Sequence, residues 1–167
     1  SNYGRKEQET AWKNTEVEAL YQLADVGVRV PVPYGFFNGV LVMELVTGTD
    51  GGSAPNLGDV ELSAEQARDY HRFLISQIVR MLCAGLIHGD LSEYNILVAA
   101  DGPVIIDLPQ VVSASGNNNA QAMLARDVNN VTATLGRFAP ELLGTRFAEE
   151  MWALYEQGLL RPDSVLS

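Results

Sequence analysis

The chain has 167 residues, enough for one domain with its own hydrophobic core, and its apolar fraction of 47% argues against a disordered protein. Eleven Lys and Arg residues against 21 Asp and Glu residues give a formal net charge of −10, which gives little support to binding of nucleic acid or anionic membranes. One cysteine excludes an internal disulfide, and without a signal peptide or a long apolar span we expect a soluble cytoplasmic protein.

The first predicted element is a helix from about Gln8 to Asp25, which Gly27 ends. Five residues recur on one of its faces at helical spacing: Trp12, Glu16, Ala19, Leu20 and Leu23. The linker "VRVPVPYG" follows as extended chain, because a residue before proline avoids the α region. A hairpin is then predicted over Gly35–Val46, since Asn38-Gly39 is a favoured turn pair between two apolar runs.

A long central helix is predicted after a loop over residues 47–59 that contains four glycines. Ser63 and Gln66 stand three residues apart, as in a capping box, and Gly85 ends the helix. The spacing predicts one apolar face, formed by Ala67, Tyr70, Leu74, Ile78, Met81 and Leu82. We expect this helix to occupy the core, with Cys83 as a buried helix residue.

The second half begins with two short β runs, "NILVAA" and "PVIIDL", which are predicted to pair across a turn at Asp101-Gly102. A helix is predicted over about Ala120–Leu135, and a last one begins at Pro140 and extends to about Gln157. The order is helix, hairpin, long helix, polar loop, hairpin and two helices. This order predicts an α+β fold.

The polar stretch "LIHGDLSEYNILV" carries the candidate chemistry, because His88, Asp90 and Asn95 stand in the order H-x-D-x-x-x-x-N and Asp107 follows an apolar strand. Phosphoryl transfer from ATP needs a carboxylate that orients the attacking oxygen and accepts its proton, and hard oxygen ligands for Mg²⁺. Asp90 suits the first role, and Asn95 with Asp107 suits the second. His88 is predicted to brace the loop. A helix cap and a strand end would explain the two aspartates separately, but neither requires the histidine and the spaced asparagine.

At these residues the chain resembles a known family. "HGDLSEYN" followed by "IIDLPQ" is similar to the Rio family of atypical protein kinases, and more closely to its bacterial branch. The triplet Ser92-Glu93-Tyr94 and the pair Pro109-Gln110 make the match specific, and it extends over nearly the whole chain. The resemblance implies a protein-kinase-like fold with a partial N-lobe over residues 1–46 and a reduced, mainly helical C-lobe over residues 47–167.

The resemblance also implies roles for the polar residues. Asp90 would be the catalytic base, and Asn95 and Asp107 would bind Mg²⁺. In the family the aspartate that matches Asp107 is also discussed as an acceptor of phosphate during ATP hydrolysis, so Asp107 is a second candidate catalytic residue. The implied activity is that of a serine/threonine protein kinase or ATPase that uses ATP and Mg²⁺. Neither the phosphate acceptor nor the oligomeric state can be read from these residues.

The segment "LVMELV" resembles the strand and hinge between the two kinase lobes. By this likeness Met43 would be the gatekeeper, and the backbones of Glu44 and Val46 would hydrogen-bond adenine. Leu97 and Ile106 would form the floor of the adenine pocket. Without the resemblance, the same five residues read equally well as ordinary β core.

The first helix resembles the regulatory helix of kinases, whose glutamate pairs with the ATP lysine. Glu16 is the candidate, because it places a charge on an otherwise apolar stripe; the alternative is an edge position in solvent. No glycine-rich loop or strand lysine precedes this helix in the sequence, and Lys13 lies on the helix itself. Since the chain also begins at Ser1 and keeps the Mg²⁺ ligands, we expect an incomplete N-lobe of a truncated kinase.

Two other functions remain open. The pattern H-G-D-x-x-x-x-N also occurs in aminoglycoside and choline kinases, which would make the protein a small-molecule phosphotransferase. However, only about 60 residues follow Asp107, which leaves little room for the longer helical region of those enzymes. A non-catalytic interaction module that keeps the kinase fold is the third possibility.

Overall fold

Four helices and six short strands form the part of the chain that the computed structural model describes, residues 16–108 and 111–167. The helices are α1 (Glu18–Asp25), α2 (Ala64–Cys83), α3 (Ala120–Gly136) and α4 (Phe147–Glu156). The strands are β1 (Pro33–Phe37), β2 (Val40–Met43), β3 (Leu86–Ile87), β4 (Ile96–Ala99), β5 (Gly102–Ile105) and β6 (Val112–Ser113). Three short 3₁₀ turns cover Leu57–Asp59, Glu93–Asn95 and Pro140–Gly144. The expected α+β fold class is confirmed.

Helix α1 is the described part of the first predicted helix, and the residues before Glu16 lie outside the described ranges. Its inward residues Ala19, Leu20 and Leu23 are buried, as their spacing predicted. None of the helices in the described ranges is long and apolar enough to cross a membrane.

Strands β1 and β2 form the predicted hairpin, with Phe37 paired to Val40. Asn38 and Gly39 make the turn with φ angles of 51° and 81°. Because both angles lie in the left-handed region, the turn favours an Asn-Gly pair over other residues. The sequence therefore predicted this hairpin together with its turn.

The second hairpin, β4–β5, differs from the prediction in its turn. Ala99 pairs with Gly102, so the turn lies one residue earlier than the predicted Asp101-Gly102 pair. The buried faces explain the register, since Ile96 pairs with Ile105 and both side chains are fully buried. A slip of one residue would move one of them to the opposite face of the hairpin.

The third pair, β3–β6, was not predicted, because each strand has only two residues and the pairing joins distant parts of the chain. Leu86 pairs with Ser113 and Ile87 with Val112. The chain therefore returns, after Asp107, to the beginning of the polar loop.

Helix α2 is the 20-residue centre of the core, and its predicted cap is confirmed. Ser63 Oγ accepts the Gln66 N–H at 3.1 Å, and Gln66 Oε1 accepts the Ser63 N–H at 3.0 Å. Beyond the end of the helix, Gly85 turns the chain at a φ of 78°, a conformation that glycine adopts at little cost. Cys83 is exposed, so its predicted burial is wrong.

The last predicted helix is divided into two elements. Pro140–Gly144 forms a 3₁₀ turn, and α4 begins only at Phe147. Between them Thr145 is extended, and both its N–H and its Oγ1 donate to the Leu142 carbonyl, at 3.1 and 2.7 Å. This local bond competes with helix continuation and explains the break.

Candidate active site

His88 fixes the beginning of the polar loop between β3 and β4. Its ring is almost fully buried, with 1% exposure, and Nδ1 accepts the Asp90 N–H at 3.2 Å. Because an N–H group only donates, Nδ1 is the acceptor and Nε2 carries the proton. Nε2 lies 3.1 Å from the Ile106 carbonyl and donates to it. His88 therefore ties the loop to the strand end that precedes Asp107, which is the bracing role predicted for it.

Asn95 closes the other end of the loop. Its Oδ1 accepts the Ser92 N–H at 2.7 Å, and its Nδ2 donates to the Asp90 carbonyl at 2.6 Å. Its backbone carbonyl accepts the Ile106 N–H at 3.0 Å. The side chain is 4% exposed, so these bonds are shielded from water. Since a carbonyl oxygen has two lone pairs, Oδ1 retains one for a further partner.

Asp90 lies at the surface of this loop. Its N–H bonds to His88 and its carbonyl bonds to Asn95, so its backbone is fixed on both sides. Its carboxylate is exposed and has no hydrogen bond or ion pair within the described residues. A fixed backbone with an unpaired carboxylate suits a group that must accept a proton from an incoming molecule.

Asp107 follows β5 in the left-handed region, with a φ of 64°. This conformation costs a non-glycine residue about 1 kcal/mol, although aspartate adopts it more readily than most residues. The pKa of Glu16 is raised above its usual value, first by burial and then by the negative charge of Asp107. The two carboxylates are therefore near neighbours. Both lysines of the sequence, Lys6 and Lys13, lie outside the described residues, so no proposed lysine partner of Glu16 can be described.

Helix α3 clamps the polar loop through three side chains that the sequence analysis missed. Asp127 accepts the Gly89 N–H at 2.8 Å and the Leu91 N–H at 3.0 Å, one on each carboxylate oxygen. Asn130 Nδ2 donates to the Leu91 carbonyl at 3.0 Å, and the Arg126 guanidinium donates to the Gly89 carbonyl. The backbone on both sides of Asp90 is therefore held by α3.

Asp127 is a buried charge, with 1% exposure. Burial raises its pKa above the usual value, and the Gly89 and Leu91 N–H groups and the positive charge of Arg126 only partly oppose this. In the sequence, Asp127 precedes Val128 on the buried side of a predicted amphipathic helix. An acidic residue at an apolar position was the signal that could have revealed it.

The predicted hinge residues lie after β2. Glu44 donates its N–H to the Val32 carbonyl at 2.8 Å, and the Val46 carbonyl accepts the Ala54 N–H at 3.1 Å. The remaining backbone groups, the Glu44 carbonyl and the Val46 N–H, make no hydrogen bond within the described residues. They are therefore available to a ligand.

Three of the predicted adenine-site residues lie in one small apolar cluster, separate from the main core. Val46 is buried in it, and Leu97 and Ile106 pack against it half-buried. Met43, the predicted gatekeeper, pairs with Pro33 and is 42% exposed, so the structure does not place it in this cluster.

The donor set fits a magnesium ion that arrives with phosphate. In the described ranges, no group of three or more His, Cys, Asp and Glu side chains could hold a metal ion on its own. Mg²⁺ in nucleotide sites takes one or two carboxylates together with phosphate oxygens and water. Asp107 and the free lone pair of Asn95 Oδ1 meet that need.

A family model and several known proteins match this chain. A family model described as the RIO domain matches residues 1–148. The RIO-type serine/threonine-protein kinase Rio1 of Haloferax volcanii is 40% identical over 126 residues, which cover 72% of this chain and 40% of that protein. The protein of the same name from Thermoplasma acidophilum is 36% identical over 121 residues, covering 72% of this chain and 61% of its own length.

The serine/threonine-protein kinase RIO1 of Homo sapiens is 33% identical over 136 residues, which cover 81% of this chain and 24% of the human protein. The matches thus span less than two thirds of the length of each of these relatives. Since the family model covers most of the sequence, the chain belongs to the RIO domain family.

Proposed function

We propose that this protein transfers the γ-phosphoryl group of ATP, with Mg²⁺, to a serine or threonine hydroxyl of a protein, or to water. One observation carries the proposal: the unpaired, exposed carboxylate of Asp90 on a backbone whose N–H and carbonyl are both hydrogen-bonded within the loop. The printed names of the relatives, serine/threonine-protein kinases, support a protein acceptor over a small molecule.

In this proposal the nucleotide base lies against the apolar cluster of Val46, Leu97 and Ile106. The Glu44 carbonyl accepts the amino group of adenine, and the Val46 N–H donates to a ring nitrogen. This pattern fits adenine, because guanine presents an acceptor and a donor in the reverse order. Met43, just before Glu44, is the proposed gatekeeper.

Asp90 orients the acceptor hydroxyl and takes its proton while the new O–P bond forms and the bond to ADP breaks. Asn95 and Asp107 supply the oxygen ligands of the metal. When bound, Mg²⁺ neutralises charge on the phosphate oxygens. Asp107 is also the proposed phosphate acceptor when water is the final nucleophile, and Glu16 is the proposed partner of an ATP-binding lysine.

We also propose that the chain divides near residue 46, with the partial N-lobe over residues 1–46 and the C-lobe over residues 47–167. The hinge after β2 supports this division, because it joins the β1–β2 hairpin to the helical part of the molecule. Membership of the bacterial branch stays a prediction, since the relatives above are archaeal and human.

The test is calorimetric titration of ATP into the protein with Mg²⁺ and with EDTA, for the wild type and Asp107→Asn. We expect Mg²⁺-dependent binding that weakens at least about tenfold in the variant, because a carboxylate ligand is lost. Asp25→Asn, which removes an exposed carboxylate that makes no contact in the described part, is the matched control. It should bind like the wild type.

Radiolabelled γ-phosphate transfer to a library of Ser- and Thr-containing peptides, with phosphate release followed in parallel, then separates kinase from ATPase. Absence of any ATP binding by the wild type would contradict the proposal and favour an interaction module. Transfer to aminoglycoside or choline alone would favour the small-molecule phosphotransferase.

A further inference from the structure

Arg29, in the linker before β1, connects three parts of the molecule. Its backbone N–H donates to Gln77 Oε1 of α2 at 2.6 Å, and its carbonyl accepts the Ile105 N–H of β5 at 3.0 Å. Its guanidinium binds both carboxylate oxygens of Glu44, at 2.8 and 3.1 Å. The backbone of Arg29 is therefore bonded to α2 and β5, while its side chain reaches the hinge.

The bond to Glu44 has the geometry of a strong, directional pair. Two parallel N–H···O bonds fix both the distance and the orientation of the carboxylate, which a single ammonium group would not do. Both side chains are 23% exposed, so water weakens the pair only in part. In agreement with this, the hydrogen bond from Arg29 lowers the pKa of Glu44 below its usual value.

Glu44 also makes two hydrogen bonds to the backbone of Val32. Its Oε1 also accepts the Val32 N–H at 3.1 Å, and its own N–H donates to the Val32 carbonyl at 2.8 Å. The side chain and the N–H of Glu44 are thus both engaged, and its carbonyl is the group that remains. The Arg29 pair and the two bonds to Val32 together restrict the direction of that carbonyl.

Packing alone does not hold the Arg29 side chain. A cavity of about 470 Å³ opens beside it, lined by residues that include Val32, Phe73 and Asp101. Asp101 lies 3.5 Å from the guanidinium but is 70% exposed, so it adds little. The guanidinium also donates to the Val30 carbonyl at 3.0 Å. The position of Arg29 therefore rests mainly on Glu44, on this carbonyl and on its own backbone bonds.

We propose that Arg29 is a positioning residue that sets base selectivity, by holding the Glu44 carbonyl in the direction that accepts the amino group of adenine. This inference rests on the proposed nucleotide site. Without the pair, only the bonds to Val32 hold Glu44, and the hinge carbonyl is less firmly fixed in direction. Binding energy from the base is then lost, while binding of the phosphates is unchanged.

The test compares ATP and GTP affinity, measured by calorimetry with Mg²⁺ on the full-length protein, for the wild type and Arg29→Met. We expect the wild type to prefer ATP, and the ratio of the two affinities to fall about tenfold in the variant, since a charged hydrogen-bond partner of the hinge is lost. Arg29→Lys should restore only part of the ratio, because lysine cannot bind both oxygens.

Arg68→Met is the matched control. It removes an arginine that binds Glu141 at the same distance of 2.8 Å, away from the hinge, and should leave the ratio unchanged. If Arg29→Met does not fold, Glu44→Gln provides the second variant, and it should lower the ratio in the same direction. A general loss of stability lowers both affinities together and does not change their ratio.

Two results would overturn the inference. An ATP/GTP ratio in folded Arg29→Met within about twofold of the wild type would show that the pair is only structural. Equal affinity of the wild type for both nucleotides would remove the selectivity itself. Absence of nucleotide binding by the wild type would instead reject the proposed function, and the inference with it.

Discussion

The polar loop over residues 88–95 and the hinge over residues 43–46 are fixed in different ways. The loop is held by buried side chains, with Asp127 and His88 each only 1% exposed. The hinge is open to solvent at Met43, which is 42% exposed, and at Leu45, which is 77% exposed, although Val46 is buried. Its main polar anchor is the partly exposed pair of Glu44 with Arg29.

This difference corresponds to the two tasks proposed for the regions. A group that accepts a proton must stand at a defined position, and buried hydrogen bonds provide that position before any ligand arrives. A base-binding edge gains its packing from the ligand itself, so apolar surface is exposed there in its absence. The predictions below test how far the loop and the hinge are separate in this sense.

The largest effect is expected on the rate of phosphate transfer when the proposed base, Asp90, is replaced. Asp90→Asn should reduce phosphate transfer about a thousandfold, because the amide does not accept the acceptor's proton. ATP affinity should stay within about twofold, since the Asp90 carboxylate makes no contact in the described residues and the backbone bonds remain. Transfer rates and calorimetry on the same preparations measure both quantities.

Asp163→Asn is the control, because it neutralises another exposed aspartate without hydrogen bonds or ion pairs in the described ranges. Its transfer rate should equal that of the wild type. An equal loss of phosphate transfer and of ATP affinity in Asp90→Asn would reject Asp90 as the base. It would also indicate that the loop and the hinge form one binding surface.

The second effect concerns the clamp on the loop. Asp127→Ala leaves the Gly89 and Leu91 N–H groups without their acceptors, and each unsatisfied buried group costs on the order of 1–3 kcal/mol. The cost of burying the Asp127 charge is recovered in the variant and offsets part of this loss. We expect a net decrease of about 3 kcal/mol in the free energy of unfolding, measured by urea denaturation.

Asn129→Ala, on the exposed face of the same helix, is the matched control. Alanine has a higher helix propensity than asparagine, so this variant should be unchanged or more stable by about 0.5 kcal/mol. An Asp127→Ala protein as stable as the wild type would show that the loop does not need α3, and the contrast with the hinge would disappear.

Local patterns in the sequence were enough to predict several of these features. Asn38-Gly39 predicted the first hairpin, because the turn depends on backbone angles that few residues adopt. Ser63 and Gln66 predicted the start of α2 for a similar reason, since a cap is made by neighbouring residues. The spacing of Asp90 and Asn95 predicted their proximity, which their hydrogen bond shows.

Long-range partners could not be predicted in the same way. Asp127 binds backbone groups that lie 36 and 38 residues earlier, and any acidic residue on a helix normally faces solvent. Arg29 stands in a linker of alternating apolar residues, and its partner Glu44 follows 15 residues later across a hairpin. The fold decides both pairings, because tertiary packing and not local spacing brings these charges together.

The smallest effect is expected on the change of folding stability with pH, and this change has opposite directions for the hinge pair and for Asp127 in the loop clamp. The pKa of Glu44 is lowered by Arg29, so in the folded protein it lies below the unfolded value of about 4.5. Stability from this pair is complete above that value and is lost as the pH falls through the lower folded pKa. Asp127 behaves in the opposite way, because burial raises its pKa above 3.8 and acid removes a cost of burying its charge.

Glu44→Gln should therefore be less stable than the wild type by about 0.5–1 kcal/mol at neutral pH, as expected for a partly exposed ion pair. The difference should shrink as the pH falls below 4.5, and urea denaturation across pH 3–7 measures it. For Asp127→Asn we expect the opposite: over the same acid range, the wild type should become more stable relative to the variant. If both differences moved in the same direction, the two regions would share one electrostatic response, and the Arg29 pair could not be treated as a separate anchor of the hinge.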